Sequence, residues 1–136
     1  MSTSGSKPGK STFAGYNVKA SAVLVAGVGV YLSAADEVDV ATANSKVIGV
    51  ATTSVTGNAS GTSRVEVQLA DGGTARVKAS GTVTRGEYLI AGTDGFENQT
   101  FGGGTVVKYA IGQALESGVD NDFVECKLSS FAGVGA

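Results

Sequence analysis

Val18-Lys19-Ala20-Ser21 recurs in this chain as Val77-Lys78-Ala79-Ser80, and Val65-Glu66-Val67-Gln68-Leu69 recurs as Val124-Glu125-Cys126-Lys127-Leu128, both at an offset of 59 residues. Between these anchors Gly29-Val30-Tyr31-Leu32 answers Gly86-Glu87-Tyr88-Leu89, and Ile48-Gly49-Val50-Ala51 answers Ile111-Gly112-Gln113-Ala114. Four matches in one order indicate a repeated unit rather than shared composition. We therefore read tandem modules over 18–69 and 77–128.

The quoted stretches also carry the secondary structure. Val65, Val67 and Leu69 alternate with Arg64, Glu66 and Gln68, the period of two expected of a strand covered on one face and wet on the other. Ala75, Val77 and Ala79 alternate with Arg76 and Lys78 in the same way, and Asp71-Gly72 lies between the two runs. That dipeptide predicts a hairpin pairing 64–70 with 74–80, with the charges of Arg64, Glu66, Arg76 and Lys78 compensating across it. Short runs at Val23–Val25, Val30–Leu32, Val38–Val40, Glu87–Ile90 and Phe123–Ser129 add further strands. Candidate helices near Ala34–Ala43 and Ile111–Glu116 are shorter than a stable isolated helix requires.

The sequence-based expectation is an all-β chain, a small β-sandwich or partly closed β-barrel built from two related β modules, with a flexible N-terminal arm. The arm covers residues 1–17, rich in Ser, Gly, Thr and Lys, and a single β domain covers 18–136. Gly102-Gly103-Gly104 reads as a permissive loop, and Phe131–Ala136 as a frayed end or a segment buried against a neighbour.

Composition removes whole classes of function. The 136 residues contain no histidine, one cysteine and no tryptophan. Imidazole-dependent catalysis, thiolate–imidazole metal sites and an intrachain disulfide are thus outside the chain's means. A net charge of −2 without an arginine cluster argues against direct binding to nucleic acid. The apolar run Ala20–Val30 is broken by Ser21, Gly27 and Gly29 and falls short of the roughly 20 residues of a membrane span, so no membrane association is expected. Asp36, Glu37 and Asp39 do not follow a calcium-loop spacing and read as solvent-facing acids, as do Asp94 and Glu97, and Asp120 and Asp122. No carboxylate pair sits in an aromatic cleft, and the glycine triplet lacks a phosphate-loop lysine, so neither hydrolysis nor nucleotide binding is indicated. No cofactor is expected. Cys126 aligns with Val67 and reads as a buried small hydrophobe, while Tyr31 and Tyr88 align as two rings solving one packing problem.

The motifs G-x-Y-L at Gly29–Leu32 and Gly86–Leu89, V-I-G-V-A at Val47–Ala51, A-I-G-Q-A-L-E at Ala110–Glu116 and V-E-C-K-L at Val124–Leu128 resemble those of small capsid decoration (head cement) proteins of tailed bacteriophages. The resemblance covers roughly residues 18–129 and departs from that family in its internal duplication and its long arm. It implies a non-enzymatic protein on the outer surface of the virion capsid, a homotrimer bound to the major capsid protein and reinforcing the shell. The candidate capsid or subunit contacts are Lys7, Lys10, Phe13, Tyr16, Phe101, Gly102, Gly103 and Gly104. The alternative is a recognition or attachment module, in a virion fibre or as a glycan-binding β domain.

Overall fold

The computed structural model describes residues 11–43 and 45–135, and these contain twelve strands and no helix. The first seven are β1 (Phe13–Val18), β2 (Val23–Leu24), β3 (Gly29–Ala34), β4 (Glu37–Val40), β5 (Gly49–Ala51), β6 (Val55–Thr56) and β7 (Arg64–Leu69). They are followed by β8 (Thr74–Lys78), β9 (Tyr88–Ala91), β10 (Phe96–Gln99), β11 (Phe101–Ala114) and β12 (Phe123–Gly135). The order β1-β4-β3-β5-β7 closes on itself as a barrel, and β2 pairs with β6 beside it. A second, open sheet runs β10-β9-β11-β12-β8. The expectation of an all-β sandwich or partly closed barrel holds.

Alternation determines which side chains enter each core. Val65 and Val67 point inward from β7 while Arg64 and Glu66 face solvent, and they join Val18, Leu24, Val28, Val30, Val38 and Ala51 in the barrel interior. The second sheet wraps Val77, Leu89, Phe96, Ile111, Val124, Cys126 and Leu128. Its open side is covered by the first unit, which contributes Ala41, Val47, Val50 and Ala70 to this second core. All of β5 is therefore buried: Val50 faces the second core and Ala51 the first.

The two units share a backbone plan. Taken cyclically, β4-β3-β5-β7-β1 and β10-β9-β11-β12-β8 run in the same order. A lone parallel bridge between Ala79 and Phe96 stands where β1 and β4 pair parallel at Val18 and Val38. Several hydrogen bonds of one unit have counterparts in the other. Gly27 N donates to Ala51 O at 2.9 Å and Gly86 N to Ala114 O at 2.8 Å. Val18 N donates to Ser63 O, and Ala79 N to Asp122 O, both at 2.8 Å. Ala26 N reaches the Ser54 hydroxyl at 3.1 Å, as Arg85 N reaches Ser117 at 2.9 Å.

These bonds correct the sequence alignment in two places. Val18 corresponds to Ala79, not Val77. Gly29 pairs with Val50 and Tyr88 with Gln113, so Tyr88 corresponds to Gly29, and Tyr31 to Ile90. Both errors are slips of two residues. A slip of two keeps every side chain on its own face, so the hydrophobic pattern cannot detect it.

Three further expectations are corrected. The first unit begins at Phe13 rather than Val18: residues 13–17 of the supposed arm lie in β1, which bridges β7 and β4 and closes the barrel. Asp71-Gly72 does not form a hairpin between its neighbours, because β7 pairs with β1 and β5 while β8 pairs with β12. The positive φ of Gly72 and Gly73 instead turns the chain from one unit into the next. The charges expected to face each other find other partners, Arg64 with Asp36 at 3.2 Å, Arg76 with Glu116 at 3.5 Å and Lys78 with Asp94 at 2.7 Å. Finally, Phe131–Gly135 is not a frayed end; it continues β12 against β11.

Candidate interaction surface

The long strands β11 and β12 outrun their sheet. β9 reaches β11 only at Ala110, Gly112 and Gln113, and β8 reaches β12 only over Phe123–Lys127. Beyond those points Val106–Tyr109 of β11 and Phe131–Gly135 of β12 have no third strand beside them among the described residues and form a two-stranded ribbon. Gly102 and Gly103, both at positive φ, bend the start of β11 so that Phe101 and Val106 both lie opposite Gly135.

The register assigns each ribbon side chain to a face. Val107 lies opposite Val134 and Tyr109 opposite Ala132, which puts these four on one face. Val106, Lys108 and Phe131 lie on the other, where the Phe101 ring rests over Gly133 in the space a side chain there would occupy. Phe101 and Phe131 meet at a tilt of 52°, 5.0 Å between ring centroids, and Tyr88 meets them edge-on at 5.9 and 5.1 Å. Such pairings suit aromatic quadrupoles. Yet the surface stays wet: Val106 is 51% exposed, Val107 47%, Tyr88 42%, Val134 41% and Phe131 38%.

The residues singled out in the sequence fall in different places. Phe101, Gly102, Gly103 and Gly104 lie at the start of β11, the first of them in the aromatic cluster. Phe13 is exposed on the barrel's outer surface, 53% accessible. Tyr16 lies opposite Val65 and, half-buried, packs against the barrel core. Lys7 and Lys10 lie outside the described residues. Sequence reasoning missed Val106, Val107 and Val134 as surface residues. The available signal was Ser129–Gly135, a run of β-forming and small residues without a single charge, where an exposed edge strand ordinarily carries charges or proline.

The acids of the Asp36–Asp39 group have structural partners. Asp36 bonds Arg64, Glu37 accepts from the Ser33 hydroxyl at 2.9 Å, and Asp39 lies 3.8 Å from Lys19. No cluster of three His, Cys, Asp or Glu residues suited to a metal occurs among the described residues. Cys126 is buried, and burial pushes its thiol up to about 12, well above the range of a nucleophilic thiolate. Tyr31 is half-buried against the second core while Tyr88 is an exposed member of the aromatic cluster, so the two tyrosines serve different ends.

No protein-family model matches the chain, and no curated protein matches it. Among solved structures, the chain is similar to the N base of the head fibre gp8.5 of bacteriophage phi29. The match has a TM-score of 0.65 and 21% identity, and covers 87% of this chain and 95% of that one. At that identity the likeness is one of fold.

Proposed function

We propose that this protein is a non-enzymatic structural component of a tailed-phage virion, seated on the outer surface of the head as a decoration protein. The observation that carries the reading is the fold likeness to a phage head-fibre base over nearly the whole of both chains. The decoration-protein motifs at Val47–Ala51, Ala110–Glu116 and Val124–Leu128 support it independently.

In this reading two copies of one β unit form a rigid body, and three chains assemble on the major capsid protein. Lys7, Lys10 and Phe13 are the proposed head contacts. Repetition over a symmetric shell turns individually weak contacts into strong attachment. Addition of the protein to mature heads that lack it should give saturable binding and raise the temperature at which the heads release DNA. Failure to bind under near-native ionic conditions would exclude this function.

The neighbour's identity as a fibre base favours a second reading, in which the chain anchors an attachment fibre and leaves shell strength unchanged. Saturable binding without any rise in the release temperature would select it.

A further inference from the structure

We propose that the β11–β12 ribbon is the contact between copies of this chain, the Phe101–Phe131 face of one ribbon packing on the Val107–Val134 face of the next to form a closed ring. This concerns how the copies meet and stands or falls independently of what the assembly binds.

The argument starts from the ribbon's lack of support. A pair of strands without a third neighbour or a packed face is marginal in water. Here Val106–Tyr109 and Phe131–Gly135 have no such third neighbour among the described residues, and large apolar side chains on both of their faces reach solvent. One face presents Phe131, Val106 and the Phe101 ring; the opposite face presents Val107, Val134 and the half-buried Tyr109. A single partner docked on either face would leave the other wet.

Head-to-tail packing between copies covers both. It joins unlike faces, and in a ring every ribbon contributes each face once, so none is left over. A two-fold dimer, which must join like faces, does not achieve this. Charge points the same way. Over both strands of the ribbon Lys108 is the only charged residue, its stem lying against Gly135, and Lys46 sits 5.8 Å from the Tyr109 ring centroid at the margin of the other face. The ribbon therefore carries no array of acids or bases to select a charged partner.

Sedimentation velocity on the full chain tests this, using Val106→Glu to block the first face and Val134→Glu to block the second, with circular dichroism to establish that each variant is folded. The wild type should sediment at three or more times the 13.4 kDa chain mass. Each variant alone should be monomeric. Their equimolar mixture should give a dimer, because the intact second face of one meets the intact first face of the other and growth then stops. A monomeric wild type overturns the proposal, even if the ribbon variants lose binding to heads, since the ribbon would then be a head contact. A wild-type dimer that persists in one variant overturns it in favour of a like-face contact. If Val134→Glu fails to fold, Val107→Thr on the same face replaces it, with at least a tenfold weakening of self-association expected and unchanged association counting against the ring.

Discussion

The ring of Phe96 fills the space that a side chain on Gly29 would occupy: a Cβ at Gly29 would lie 2.7 Å from Phe96 Cζ and 3.4 Å from Val47 Cγ1. Phe96 belongs to the second unit and Gly29 to the barrel, so this contact locks one to the other. Gly27 does the same beside it, where a Cβ would lie 2.7 Å from Phe123 Cε1, and its carbonyl accepts from Lys78 N at 2.9 Å. Gly29→Val should therefore destabilise the protein by about 1–3 kcal/mol, the usual cost of overpacking. Because the second core is built partly from first-unit residues, chemical denaturation of wild type and variant should show one transition. Separate transitions for the two units would contradict this packing.

The glycines of the two Ile-Gly motifs answer a common steric demand. A Cβ on Gly49 would collide with the Gln68 carbonyl, and one on Gly112 with the Lys127 carbonyl, at corresponding places in the two units. Backbone cannot yield as a flexible side chain can. Gly49→Ala and Gly112→Ala should each cost about 1–3 kcal/mol by denaturant titration. Gly15→Ala, whose nearest neighbour is the mobile end of Arg64 at 3.1 Å, should stay within about 0.5 kcal/mol of wild type.

Cys126 offers a pH test. Burial raises its thiol from 9.0 to about 12, so the folded chain holds this proton more tightly than the unfolded chain. Its contribution to stability is complete below the unfolded value and is lost as pH rises from about 9 towards 12. Cys126→Val, which places there the residue type of the corresponding Val67, should remove this alkaline loss. It should alter stability at neutral pH by less than about 1.5 kcal/mol. In the wild type, a thiol reagent at pH 8 should modify Cys126 only as fast as the chain unfolds.

Where the arm ends can be tested by truncation. Deleting residues 1–10 should leave the thermal transition unchanged while weakening attachment to heads. Deleting residues 1–17 should collapse the transition, because β1 is the strand that joins β7 to β4. Equal melting temperatures for the two truncations would contradict a barrel closed by β1.

Much of this architecture is legible in the residues. Alternation at Arg64–Leu69 and Thr74–Lys78 reveals strands and their buried faces, and the resemblance of Val124–Leu128 to Val65–Leu69 places Cys126 in a core. Strand partnership is not legible, since alternation states which face is buried but not which strand lies alongside. Asp71-Gly72 satisfies a hairpin locally, yet the barrel offers β7 two other neighbours. The same limit produced the two-residue slip at Val18 and Tyr88. Of the candidate contacts, Phe101 stands in the exposed aromatic cluster, whereas Tyr16, an isolated aromatic in a polar segment, packs half-buried against the barrel core once β1 is paired. The ribbon is only faintly legible: Ser129–Gly135 is uncharged and holds Phe131 and Val134, but its two glycines weaken the strand pattern, and its long partner β11 supplies the reason it forms one.

The most direct measurement is the number of copies that a mature head lacking the protein takes up at saturation. The account predicts a plateau at a fixed fraction of the lattice sites, in multiples of three chains, and competition by unlabelled protein. Uptake that rises linearly without a plateau, or none at all, would contradict it.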